Sequence, residues 1–208
     1  MKKVILIGNG GHSRVIQEMI NKNNAYELIG ILDQSVESFY KEESVIYDNT
    51  DNLSYYKQEA SFVLAIGDNK TRKKIMKENN LEPENFATII DPSAIVATDV
   101  SIGAGTVVMP GAVINTGTII GNHTIINTRA VVEHDNVIED FVHISPNATL
   151  TGTVRVRNFS HIGAGAIVIP NKTIYENVSV GAGAVVVEDA EKNTVIVGVP
   201  AKIIKRRS

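Results

Sequence analysis

Two hydrophobic periods divide the chain. From Ile90 onward every sixth residue is aliphatic: Ile90, Val96, Ile102, Val108, Ile114, Ile120, Ile126, Val132, Ile138, Ile144, Leu150, Val156, Ile162, Val168, Ile174, Val180 and Val186, seventeen positions with no insertion. The residue four places later is often small, as at Ala94, Thr106, Ala112, Thr118, Ala130, Ala148, Ala166 and Ala184. A strict six-residue repeat predicts a left-handed parallel β-helix. Each hexad forms one side of a triangular prism, its aliphatic residue points inward, and three hexads close one coil. The small partner is needed because a narrow interior cannot hold two large side chains per hexad. Coils stack at about 4.8 Å, and each inward aliphatic contributes about 1.5–3 kcal/mol by burial before ordering entropy is subtracted.

Before Pro83–Ile90 the pattern is different. "KKVILI", "YELIGILD" and "SFVLAIG" predict three buried strands. "HSRVIQEMINK" predicts a helix with Val15, Ile16, Met19 and Ile20 on its apolar face, and "NKTRKKIMKEN" a second helix. Strand–helix alternation predicts a small parallel α/β sheet of Rossmann-like type. Residues 35–60 read as loop with at most one short element. The expected division is an α/β domain over 1–85, the prism over 86–190, and a cap with a basic tail over 191–208.

The outward residue before each aliphatic runs Val107, Val113, Ile119, Ile125, Val131, Val137, then His143, Thr149, Arg155, His161. So large an apolar surface predicts a cover, by a neighbouring subunit and by the first domain. The change to His and Arg predicts that a dry interface opens there into a polar cleft.

Composition narrows the chemistry. The net charge of −3 gives no electrostatic reason to bind nucleic acid. The absence of cysteine removes disulfides and thiolate nucleophiles and weighs against a zinc site. The N-terminal apolar run is too short for a signal peptide or a membrane span, so a cytoplasmic protein without membrane partners is expected.

The candidate chemistry lies in "VVEHDNVIEDFVHISPNATLTG", Val131–Gly152. His134 occupies the third place of its hexad, pointing outward, between Glu133 and Asp135. Imidazole, with an ordinary pKa near neutrality, suits removal of a proton from a nucleophile, and an adjoining carboxylate can orient it. Gly152 stands one coil above His134, which predicts room for a ligand and a backbone N–H able to polarise a carbonyl. In the first domain, "GNGGHS" follows a strand and opens a helix, where a phosphate can sit. Asp33 ends the second strand about twenty residues beyond the loop, as a ribose-binding acid does. An NAD site is one reading, but the domain is small for it.

With those motifs, "AIGDNKTRKKI" and the terminal "VGVPAK", the whole chain resembles the bacterial sugar acetyltransferases typified by the UDP-4-amino-sugar N-acetyltransferase PglD and the sialic acid O-acetyltransferase NeuD. The resemblance implies a homotrimer that transfers acetyl from acetyl-CoA to the amino group of a UDP-linked 4-amino-deoxysugar in glycan biosynthesis, without metal. It implies His134 as general base with Asp135 as its acid, His143 as an acetyl-CoA contact, and Gly152, Ala164 and Ala182 along the CoA groove. It implies a nucleotide held by Gly10, Gly11, His12, Asp33, Gln34 and Gly67, with His134 supplied by an adjacent subunit. His123 and His161 read as structural or interface residues. Three rivals stand beside this. One is O-acetylation of a sialic acid or similar sugar. Another is a non-catalytic nucleotide-sugar-binding trimer. The third is a zinc enzyme of the prism-fold carbonic anhydrase type, whose H-x₄-H pair this chain lacks.

Overall fold

The computed structural model describes residues 1–207. The N-terminal unit runs β1 (Lys2–Ile7), α1 (Gly11–Asn21), β2 (Tyr26–Leu32), β3 (Tyr40–Glu42), β4 (Val45–Asp48), β5 (Ser61–Leu64) and α2 (Asn69–Glu78). Its five strands lie in the order β3-β4-β2-β1-β5, parallel except for the edge strand β3. The chain winds from β1 toward β2 on one side and returns to β5 on the other, so a crevice opens at the C-terminal end of β1. Residues 35–60 depart from the expectation of at most one short element. They hold β3, β4 and a 3-10 turn, Thr50–Tyr56, capped by the Asn49 side chain. Strand β4 forms on the earlier strand β2, and β3 is a short, exposed hairpin arm on β4 with Tyr47 stacked on Tyr40 at 4.6 Å, so neither carries a marked apolar period of its own. On α1, Ile16, Met19 and Ile20 are buried as expected, whereas Val15 is 39% exposed. It stands at the margin of the apolar face, beside a shallow cavity shared with Pro110.

Seventeen two-residue strands, Ile89–Ile90 to Val185–Val186, build the prism as three parallel sheets. Register advances by one coil at each step, as in Val113 to Val131 to Thr149. The predicted aliphatics from Val108 to Val186 are buried and line one continuous interior. Every corner from Gly105 to Gly183 turns through a left-handed residue, with φ between 52° and 71°. Gly, Asn and Asp fill many of these places because other side chains strain there. The repeat ends after Val186, where Val180 pairs with Ile196, and Lys202–Arg206 folds back antiparallel as a cap.

The N-terminal unit packs on one sheet of the prism. Val107, Met109 and Ile125 share a core with Leu6, Ile16, Met19 and Val63, so the unit covers that part of the apolar outer surface. The other two sheets keep exposed isoleucines, Ile95 at 66%, Ile119 at 53% and Ile167 at 41%. Arg72 clamps the junction. Only 1% exposed, it donates to the carbonyls of Ile66, Gly67, His123 and Val142 and to Asn69 Oδ1. Burial lowers its pKa to about 9. Among the described residues no helix is long and apolar enough to cross a membrane.

Candidate active site

His134 and Asp135 form a pair at one corner of the prism. The left-handed backbone at Asp135, φ 58°, turns its carboxylate back toward the preceding residue. Its Oδ2 accepts from His134 Nδ1 at 2.8 Å. Since a carboxylate only accepts, Nδ1 carries the proton and Nε2 presents its lone pair outward. The two side chains are 55% and 62% exposed. Glu133, the other acid beside His134, is held away by Asn115, whose Nδ2 donates to Oε2 at 2.8 Å.

Glycines seat the pair from above and below. A Cβ on Gly152 would stand 2.6 Å from His134 Cε1 and 2.7 Å from Nε2. A Cβ on Gly117, one coil below, would stand 2.4 Å from Asp135 Oδ1. The space expected at Gly152 for a ligand is thus taken by the imidazole itself. The Gly152 N–H has no hydrogen-bond partner among the described residues, and the imidazole lies where a Gly152 side chain would begin. Gly117 could have been found from sequence by the same one-coil step that relates Gly152 to His134.

His143 stands elsewhere, in the junction with the N-terminal unit. Its Nδ1–H donates to Gly67 O at 3.2 Å, its Nε2 accepts from Asn127 Nδ2 at 2.9 Å, and His161 stacks on it at 4.7 Å. Burial, then His161 and Arg72, push its pKa down to about 3. His161 pairs with Ser145 Oγ at 2.7 Å within the same chain. His123 is buried against Phe86 and Phe141.

The turns that carry Ala164 and Ala182 follow strands His161–Ile162 and Ser179–Val180, whereas the His134 and Gly152 turns follow Val131–Val132 and Thr149–Leu150. The two groups therefore lie on different edges of the prism. Ala164 and Ala182 are exposed, and a Cβ on the neighbouring Gly165 or Gly183 would meet no atom within 4 Å, which leaves a smooth, open edge.

In the N-terminal unit, Gly10 caps α1 without a side-chain hydrogen bond, and no acid occupies the first turn. Gly10 and Gly11 are exposed, and Gly11 lines the same shallow cavity as Pro110. The glycine loop thus stands over the edge that carries Ala164 rather than the one that carries His134. Burial, then Arg72, lower the His12 pKa to about 4, and its buried Nε2 has no partner among the described residues. Asp33 pins the loop, accepting from Asn9 N at 2.8 Å and from Ser35 N and Oγ. Burial alone would raise its carboxyl; these hydrogen bonds outweigh that and hold it below the ordinary range. Asp33 and Gln34 line a cleft of about 520 Å³ at the crevice beside β1, with Gly8, Ile66, Thr71 and Lys74. Gly67 lies just beyond it, at the hydrogen bond to His143.

Comparison with known proteins gives concordant relatives. Residues 3–79 match the PglD N-terminal domain family. Over 109 residues the chain is 40% identical to the UDP-N-acetylbacillosamine N-acetyltransferase of Bacillus subtilis (strain 168), a match covering 51% of this chain and 50% of that relative. It spans about half the length of that curated protein. The acetyltransferase domain of PglB from Neisseria gonorrhoeae FA1090, solved in complex with acetyl coenzyme A, superposes with a TM-score of 0.88 at 33% identity over 98% of this chain and 99% of that one. A histidine-to-asparagine variant of perosamine N-acetyltransferase from Caulobacter crescentus, solved with CoA and GDP-perosamine, gives a TM-score of 0.88 at 34% identity over 99% of this chain and 98% of that one.

Proposed function

The chain belongs to the PglD-type sugar acetyltransferases, and from that membership we propose that it transfers acetyl from acetyl-CoA to the amino group of a nucleotide-linked amino sugar. The substrate is a 4-amino-deoxysugar on a nucleoside diphosphate, with UDP as the carrier. The reaction is assigned to the cytoplasm. The observation that carries the reading is the 2.8 Å contact between His134 Nδ1 and Asp135, which leaves Nε2 without a partner among the described residues, in a ring packed against Gly152.

The chemistry follows from that arrangement. The neutral amine attacks the thioester carbonyl carbon, so an N–C bond forms and the C–S bond breaks. His134 Nε2 accepts the amine proton and returns it to the departing sulfur. Asp135 stabilises the transient imidazolium, and the Gly152 N–H polarises the carbonyl oxygen as charge develops there. The open edge at Ala164 and Ala182 suits an extended pantetheine lying against backbone. The cleft at Asp33 and Gln34 suits the nucleoside, and the free N-terminus of α1 at Gly10, Gly11 and His12 suits the diphosphate. His143, with both ring nitrogens engaged inside its own chain, would bear on acetyl-CoA chiefly by shaping the wall near Gly67.

Because His134 and the glycine loop stand over different edges of one prism, the working site joins two chains. A closed homotrimer satisfies this and also covers the exposed isoleucines of the two uncovered sheets. Release of CoA thiol, followed over a panel of UDP- and GDP-linked amino sugars and hydroxylated counterparts, tests the reading. His134→Ala should lower turnover about 10²–10⁴-fold with an unchanged melting temperature. Transfer to hydroxyls alone would make the protein an O-acetyltransferase, and silence on every acceptor would leave a binding trimer.

A further inference from the structure

Asn136 points into the prism and is 0% exposed, an amide in an interior otherwise filled by aliphatics and small residues. The inward hydroxyls follow one rule: each reaches up to the next coil. Thr118 Oγ1 donates to Glu133 O at 3.0 Å and accepts from Asn136 N at 3.3 Å. Thr106 does the same with Gly121 O and Thr124 N, and Ser160 with Tyr175 O and Val178 N. Asn136 keeps both contacts, donating to Thr151 O at 3.1 Å and accepting from Val154 N at 3.0 Å. It then adds two that the hydroxyls lack, from Nδ2 to Glu133 O and, at 3.3 Å, to His134 O. The nearest parallel is Thr124, whose hydroxyl reaches Asn122 O at 3.5 Å. With two N–H groups facing three carbonyls, one of these bonds is shared.

The added grip falls on the turn that carries His134 and Asp135, and the upward contacts fall on the turn that carries Gly152. We infer that Asn136 is a positioning residue for acetyl transfer: its buried amide ties the His134 peptide to the Gly152 coil and so fixes the imidazole relative to the Gly152 N–H. A threonine meets the coil-to-coil contacts, as Thr118 shows one coil below. Burying an amide costs more than burying a hydroxyl and is offset only when each polar atom is paired. What the amide supplies beyond threonine is the hold on its own turn, at the Glu133 and His134 carbonyls, the second of which also accepts from Thr153 N at 3.0 Å.

This inference rests on the acetyl transfer proposed above, and its test is built to fail separately. Asn136→Thr should keep the wild-type melting temperature. Its kcat should fall about tenfold or more, with KM for both substrates within about twofold, because a sub-ångström loss of alignment acts on the transition state rather than on binding. Asn136→Ala should lose stability as well. The imidazole ¹⁵N shifts of His134, assigned by their loss in His134→Asn, give a readout independent of turnover. Wild type should show the single Nδ1–H tautomer and Asn136→Thr a mixture. A threonine variant with wild-type kcat, or with unchanged His134 shifts, overturns the inference. Wild-type protein that transfers acetyl to no sugar overturns the proposed function instead, and the shift comparison still decides the part played by Asn136.

Discussion

The His134–Asp135 pair is held as much by missing side chains as by present ones. Gly152 leaves the volume that the imidazole fills, and no positive φ requires glycine there. Gly152→Ala should therefore leave the fold intact, with a melting temperature near wild type. The new methyl would displace the ring, and kcat should fall about 10²-fold, the cost of roughly 1 Å of misplacement. Wild-type turnover in that variant would show that the ring needs no such seat. At this scale legibility depended on the period. His134, Asp135 and Gly152 stand out because one coil is a fixed number of residues, so a column can be counted along the chain. Asn136 does not, because its place in the hexad reads as one more small inward residue, and nothing local reports which carbonyls its amide meets. Arg72 is hidden for a different reason: in "NKTRKKI" it is one cation among several, and only the docked prism shows that it is the buried one.

A column of rings runs up one corner between the prism and the N-terminal unit. Phe86 meets His123 edge-on at 4.3 Å, His123 stacks on Phe141 at 4.9 Å, and Phe141 on Phe159 at 5.5 Å. The three prism members occupy left-handed corners, a strain of about 1–2 kcal/mol each that stacking offsets in part, at about 0.5–1.5 kcal/mol per pair. His123 is the polar member: its Nδ1 is buried with no partner among the described residues, and burial, then Arg72 and Lys73, lower its pKa to about 4. The ordinary value is 6.5, so between that pH and about 4 the unfolded chain holds a proton that the folded chain does not. Stability from this group is fully present above the window and is lost as pH falls through it, by at most about 1.4 kcal/mol per pH unit. His123→Phe extends the column and breaks no hydrogen bond of the ring. It should match or exceed wild-type stability at pH 7, and its advantage should widen at pH 5, read from urea midpoints. An equal gap at both values would remove His123 as the source. His12 and His143 are also held neutral, so acid sensitivity should shrink rather than vanish. The prism strands were legible because one rule repeats without interruption, and the same one-coil step relates His123, Phe141 and Phe159, whereas Phe86, which closes that column from outside the repeat, and the β3–β4 hairpin follow no such rule.

Assembly decides whether the separate pieces make one site. Within a chain, the N-terminal unit stands over the edge that carries Ala164 and Ala182, and no hydrogen bond among the described residues joins residues 1–85 to the turn at 133–136. The two sheets that expose Ile95, Ile119 and Ile167 are the apolar surfaces on which a neighbour can bring its His134 to that edge. Shared sites make a sharp demand on mixtures of inactive chains. His134→Ala chains keep the glycine loop, and Asp33→Ala chains, whose loop loses its anchor at Asn9, keep the imidazole. Each variant alone should be inactive or nearly so. Co-expressed under two tags and purified through both, they should recover activity, because a site that takes its loop from one variant and its histidine from the other is intact. In a cyclic trimer that carries both tags, one of the three sites meets that condition, so turnover per chain should approach about a third of the wild-type value. A site complete within one chain would give no recovery at any ratio, and that result would return both the trimer and the placement of the sugar to question.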